Sequence, residues 1–390
     1  MFSDIVVLDF TRVVAGPYCS RMLADLGANV IKIDEIPNGK VDETGSITRE
    51  QAATLRTAGG ITNNLGKRSL SIDLKAPASK ELIQTLLSKA DVVLENFKPG
   101  VMDTLGFGPK ACLELNPRLI YAGLSGFGQD SSRRAFGATA HAEAGWLWVQ
   151  QEAANTDEVF APGVTVADLV TGSNAFSGIL AALYSREKDG KGQVVDVSLM
   201  DSQLQMMNSV MEPILNGLKE EDYQSFRHPL HRAADGKMIS INIGNARNWA
   251  RISRALTGDE SPMPESGPAA NAQVSDWVGK LSSSDIADRM DSEGAPYGIS
   301  LTAFESAKHP HFAERKMITE QEDLVAGMVS AVDSPIFFSR LESRARGTAP
   351  IIGEHSKEVL SEFSIPESQI TSVIDEGSVS YTHLTLPTKA

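Results

Sequence analysis

The segment that leaves this chain the fewest folding options runs over residues 163–202, GVTVADLVTGSNAFSGILAALYSREKDGKGQVVDVSLMDS. It opens on a short β-prone run, residues 164–166, and then offers one acid, Asp168, at the head of a helical pattern. Phe176, Ile179, Leu180, Leu183 and Tyr184 recur at helix spacing, so the helix buries one face. Gly172, one turn beyond Asp168, leaves that face of the helix open. Residues 188–192 close the unit as a turn centred on Asp189 and Gly190, and residues 194–199 alternate as a strand.

Asp168 has two readings. Asp is favoured as a helix N-cap and suits the positive end of the helix dipole. It is also a carboxylate that is ionised at neutral pH without tuning, because its reference pKa is about 4. Desolvated and aimed at an activated acyl group, such a carboxylate becomes a useful nucleophile.

The rest of the chain supplies alternating strands and helices. Residues 5–10 (IVVLDF) read as a buried strand, Gly16-Pro17 as a turn with Pro at the first helical position, and residues 18–26 as a helix ended by Gly27. Residues 29–33 (NVIKI) complete a βαβ unit. No Gly-x-Gly-x-x-Gly is present, so a dinucleotide site has little support. Residues 34–64 are polar and irregular. Residues 64–75 run from a polar turn into a strand, 79–89 form an amphipathic helix, and 90–97 (ADVVLENF) form a buried strand. Asn96-Phe97-Lys98-Pro99-Gly100 follows at its carboxyl end, where open α/β sheets collect ligands. Residues 119–128 are another strand ending in glycines, followed by Arg133-Arg134, either a phosphate-neutralising pair or a solvated one. Beyond Ser202 a helix continues to Leu218. A strand (235–243), a helix (249–256), a Ser/Pro/Gly-rich loop (258–272) and a helix to Met290 come next. Ser356 is a candidate cap near the C-terminus.

Composition sets outer limits. With 390 residues and 42% hydrophobic content, the chain can build two domains and a substantial core. A formal net charge of −14 argues against nucleic acid or an anionic membrane as partner. Two cysteines, Cys19 and Cys112, make a disulfide framework unexpected and fit a reducing cytoplasm. No apolar run of membrane-spanning length is expected. His228 with His231, and His309 with His311, lack the cysteines or carboxylates of a metal site, so no metal is expected.

Several blocks together carry a family likeness. DFTRVVAGPYCSRMLADLGANVIKID, ENFKPGVMDTLGFG, DLVTGSNAFSGILAAL, KDGKGQVVDVSLMDS and APIIGEHSKEVL occur in that order. The chain resembles the class III CoA-transferases, the superfamily that includes formyl-CoA:oxalate transferase, carnitine CoA-transferases and α-methylacyl-CoA racemases. The resemblance implies an α/β fold: a Rossmann-like large CoA-binding domain (1–202), a linker helix (203–225), an inserted smaller α+β domain (226–325) and a return segment completing the large domain (326–379). Residues 380–390 break the pattern and are expected to be a non-native tail. It further implies an interlocked homodimer.

The implied reaction moves CoA from an acyl-CoA donor to a carboxylic acid acceptor, with Asp168 on the catalytic aspartate and with acyl-CoA as substrate rather than a tightly bound cofactor. The resemblance places CoA along Val14, Ala15, Ile72, Lys75, Asn96, Phe97 and Arg134. Backbone N–H groups at the start of the Asp168 helix are expected to stabilise oxyanions. Some positions depart from relatives: Glu35 stands where formyl-CoA transferase has a basic residue, Thr104 replaces an arginine, Gly137 a commonly acidic position, and His141 lies where many relatives carry Gln. A 2-methylacyl-CoA racemase is the alternative, but its His position falls near Phe136 or Gly137 and its Glu position near Ala246.

Overall fold

A computed structural model describes residues 2–36, 46–48, 53, 60–225, 229–341, 343–344 and 347–384. It divides into two compact units, one of residues 1–222 and 316–390, the other of residues 223–315.

The larger unit is built on a seven-stranded sheet. Its strands are β1 (Val6–Asp9), β2 (Asn29–Asp34), β3 (Arg68–Ile72), β4 (Val92–Glu95), β5 (Ile120–Ser125), β6 (Gln193–Ser198) and β7 (Val379–Ser380). They lie in the order β7-β3-β2-β1-β4-β5-β6. Every pairing is parallel except that of β7, which runs antiparallel to β3. The central strands are apolar without alternation because helices cover both faces. On one face α1 (Ala15–Asp25) and the long α4 (Val166–Asp189) pack Leu23, Ala24, Ala175, Ile179 and Leu183 against Val7, Val92 and Ile120. On the other, α2 (Pro77–Lys89) and the C-terminal segment pack Leu82, Leu86, Val359 and Leu360 against Leu8, Ile31 and Leu70. Between α2 and α4 lies a short helix, α3 (Gly137–Glu143), and after β6 comes α5 (Leu199–Met206).

Several local expectations are revised. Val166 already belongs to α4, so residues 164–166 are not a strand. The first helix begins at Ala15, which puts Pro17 at its third position rather than its first. The helix expected from residue 203 to 218 is two helices, Leu199–Met206 and Asn208–Leu215. Gly172 does not keep a face open: a Cβ there would stand 2.5 Å from Ala15 O, so its role is to let α1 and α4 approach closely. Helix α4 is, by length and composition, apolar enough to cross a membrane, contrary to the sequence expectation. Its apolar side is used against α1 and the sheet. Gly190 ends it in the left-handed conformation, φ 76°.

The C-terminal segment closes the sheet. Ser356 is not a cap. Its hydroxyl accepts the Ser71 N–H at 3.1 Å and donates to Ser380 O at 2.6 Å, which stitches β3 to β7. Ser380 is therefore part of the sheet rather than of a detached tail.

The smaller unit has a three-stranded antiparallel sheet, Leu230–Arg232, Met238–Ser240 and Gly298–Ile299. Helices Ala246–Thr257, Gly267–Val278 and Ser283–Glu293 bury Trp249, Ile252, Val274, Ile286 and Met290 around it. The single helix expected up to Met290 is thus two.

Candidate active site

A cavity of about 530 Å³ opens at the carboxyl ends of β1, β4 and β5. The chain builds β2 and β3 to one side of β1 and β4 to β6 to the other. Loops leaving β1 and β4 therefore diverge, and a crevice forms where the strand order reverses.

A buried ion pair anchors the β1 side. Asp9 ends β1 with no exposed surface. It accepts from Lys67 Nζ at 3.0 Å, Ser20 Oγ at 2.6 Å and the Thr11 N–H at 2.9 Å. Lys67 also donates to Pro17 O, Ser20 Oγ and Asn64 Oδ1. Burial opposes the charge of Asp9, but Lys67 and Lys32 outweigh it and hold the carboxyl at about 2. Burial in turn pulls Lys67 down to about 8. With every donor and acceptor used, this cluster ties the loop after β1 to the start of α1.

The facing wall comes from the loop after β4. Asn96 brackets the Arg12 backbone, accepting its N–H at 2.9 Å and donating to its carbonyl at 2.8 Å. Its side chain thus shapes the cavity loop and is not a free ligand contact. The Arg12 guanidinium lies 5.2 Å from the Phe97 ring centroid and pairs with Glu35 at 2.7 Å. Glu35 therefore neutralises a cavity arginine. Val13, at φ 71°, holds a backbone conformation that a β-branched residue rarely adopts. Below Phe97, the carboxylate of Glu95 accepts the Phe97 N–H at 2.8 Å. Burial, with Asp103 and Asp196 adding to it, pushes Glu95 up to about 7.

Asp168 enters from the third side, in the first turn of α4. The cap reading is overturned, since Thr165 holds the N-cap position and makes no side-chain cap bond. Three of the first N–H groups of the helix have hydrogen-bond partners: Val166 donates to Val164 O, Ala167 to His141 Nε2 at 3.0 Å and Leu169 to Thr165 O. Those three are therefore not free as an oxyanion hole. Burial raises the pKa of the half-buried Asp168 carboxyl above its ordinary value, and its own N–H partly offsets this.

The structure brings together Asp168, Ala15, Asn96, Phe97 and Arg134 around one cavity. Val14 adjoins it as the residue before α1. Ile72 is fully buried in the core, so its side chain cannot meet a ligand. Lys75 is exposed beyond the end of β3 and does not line the cavity. Arg133 is held bidentately by Glu143 and stacks on Phe127, 4.4 Å from its centroid. Arg134 and Lys98 line the cavity without a carboxylate partner among the described residues. Lys98 lies in the loop after β4 that the sequence marked as ligand-collecting, whereas sequence reasoning missed Arg12 and Phe136. Arg12 stands in the loop after β1, and that position was the available signal.

His231 is buried against Ser275 at 2.7 Å, while His309 and His311 are exposed ring neighbours. His228 lies outside the described residues. Among those residues, no group of three His, Cys, Asp or Glu side chains could hold a metal ion.

The sequence matches the family model described as CoA-transferase family III over residues 2–356. It is 31% identical to an acyl-CoA transferase of Fusarium pseudograminearum, over 97% of this chain and 88% of that protein. It is 28% identical to a succinyl-CoA:mesaconate CoA-transferase of Haloarcula hispanica, over 93% of this chain and 96% of that one. The solved structure of a CAIB/BAIF family protein from Brucella suis aligns with a TM-score of 0.73 at 25% identity, covering 92% of this chain and 98% of that one.

Proposed function

This chain belongs to CoA-transferase family III and is an enzyme of that class, and we propose that Asp168 carries the transfer covalently, from an acyl-CoA thioester to a small carboxylic acid. The observation that carries this reading is the Asp168 carboxylate, half-buried and facing the same cavity as Phe97, Lys98 and Arg134. Burial strips water from the carboxylate, and two cations with no carboxylate partner among the described residues suit an anionic ligand.

In the first step an Asp168 oxygen attacks the thioester carbonyl, the C–S bond breaks, and a mixed anhydride and CoA thiolate result. The thiolate then attacks the aspartyl carbonyl of the anhydride, releasing the donor acid and leaving an aspartyl-CoA thioester. The acceptor carboxylate attacks that thioester, giving a new anhydride and freeing the thiolate again. Attack of the thiolate on the acceptor acyl carbon forms the product and restores Asp168. Each step exchanges groups of similar energy, which is what covalent catalysis supplies. The thiol end of CoA would lie toward Asp168, with its phosphates toward Lys98 and Arg134. The racemase alternative loses support because His141 spends Nε2 on the Ala167 N–H.

We also infer an interlocked homodimer. Helices Trp146–Ala154 and Asn208–Leu215 are apolar yet bury no residue within the chain, which is how a helix reads when its partner is another subunit. Sedimentation of a reversible monomer on dilution would overturn the dimer.

The covalent reading is tested by trapping. Protein incubated with succinyl-CoA or acetyl-CoA and then hydroxylamine should carry a hydroxamate on the peptide holding Asp168. Asp168→Asn should fold, bind acyl-CoA and lose essentially all transfer. An active Asp168→Asn protein, or a label on another residue, would sink the mechanism.

A further inference from the structure

The start of α4 is held by a side chain from another helix. His141 is on α3 and almost wholly buried, at 2% exposure. Its Nε2 accepts the Ala167 N–H at 3.0 Å. Ala167 is the residue before Asp168. An isolated helix leaves its first N–H groups without partners, and a side-chain oxygen near the N-cap usually supplies one. Here Thr165 makes no such bond, and an imidazole nitrogen takes its place.

We propose that His141 is a positioning residue for Asp168, fixing the first turn of α4 by accepting the Ala167 N–H through an unprotonated Nε2. The imidazole must then be neutral, with its proton on Nδ1, because a protonated ring has only donors. Burial lowers the pKa of His141, in the direction this role requires. Helix α3 packs against α4, α5 and the helix Trp146–Ala154. The charged groups those elements present nearby are Asp168, Asp201 and Glu152, with Glu143 on α3 itself paired to Arg133. None of them counters the effect of burial on His141. As pH falls through the lowered pKa, His141 becomes a donor, the Ala167 bond is lost, and the turn that aims Asp168 loosens. The inference rests on the reading of Asp168 as nucleophile, and its failure is distinguishable from the failure of that reading.

The experiment compares His141→Leu with His141→Gln, whose amide oxygen can accept the same N–H. His141→Leu should lose at least about tenfold in kcat while the acyl-CoA KM stays within about twofold, as expected when a reacting group is misaimed rather than its ligand lost. His141→Gln should recover most of kcat and should lack the part of the acid limb that belongs to histidine. Nitrogen-15 NMR of histidine-labelled wild type should find His141 neutral and protonated on Nδ1 at neutral pH, a readout independent of whether His141→Leu folds. Wild-type kcat in His141→Leu overturns the proposal, as does equal loss in both variants or an Nε2-protonated ring. If the hydroxamate still forms on Asp168 in those cases, only the positioning role has failed. An active Asp168→Asn would remove both.

Discussion

Gly137 and Asp168 meet with no room between them: a Cβ at position 137 would overlap Asp168 Oδ2. Gly137 is buried at the first position of α3 and is not in the left-handed region, so space rather than backbone freedom requires glycine there. Gly137→Ala should leave the α3 backbone intact and displace the carboxylate. A displacement of about 1 Å at a reacting group costs on the order of a hundredfold. Steady-state kinetics should therefore find kcat reduced by roughly tenfold to a hundredfold, with the acyl-CoA KM and melting temperature little changed. Wild-type kcat in Gly137→Ala would mean that the carboxylate does not work from this position.

Arg134 and Arg133 are neighbours with different engagements. Both line the cavity, but Arg133 is spent on Glu143, whereas Arg134 has no carboxylate partner among the described residues. Arg134→Ala should raise the acyl-CoA KM by about tenfold, the scale of one charge-assisted contact, and the effect should shrink at high salt. Arg133→Ala and Lys75→Ala should each change it less. Equal effects of Arg134→Ala and Arg133→Ala would count against this placement of the anion.

Glu95 makes stability depend on pH. The unfolded chain loses this proton near the ordinary value of 4.5, while the folded chain holds it up to about 7. Between those values the folded state binds more protons, so the Glu95 contribution to stability falls as pH rises and levels off above about 7. Glu95→Gln removes the ionisation and keeps an oxygen for the Phe97 N–H. Urea unfolding should find the variant gaining on wild type by roughly 1–3 kcal/mol across that window, with no gain below it. A difference that did not vary with pH would show that Glu95 is not held protonated.

Much of the fold was legible because apolar periodicity reports burial directly. The first βαβ unit, the apolar strands within residues 90–97 and 119–128, which prove two or three residues shorter at their carboxyl ends, and the stop of α4 at Gly190 all follow from local residue choice. Helix starts were less legible. Val166 and Ala15 begin helices that propensity would start elsewhere, because packing between α1 and α4 extends them. Among the predicted cavity residues, Asp168, Phe97 and Arg134 face the cavity because they lie at or beyond the ends of elements that converge there. Ile72 does not, since alternation along β3 turns it into the core.

The sequence by itself determined an α/β chain with an acid near the head of an amphipathic helix and a loop after β4 placed where open α/β sheets collect ligands. The tertiary structure decided what that acid touches. Gly137 and His141 reach the start of α4 from a helix some thirty residues away, Asn96 is spent on the Arg12 backbone, and Val379 and Ser380 complete a sheet begun at β3. Spacing along a chain encodes which face of an element is buried, because that depends on neighbours one turn or two residues away. It does not encode which distant side chain fills the space opposite, and that is settled only when the elements pack.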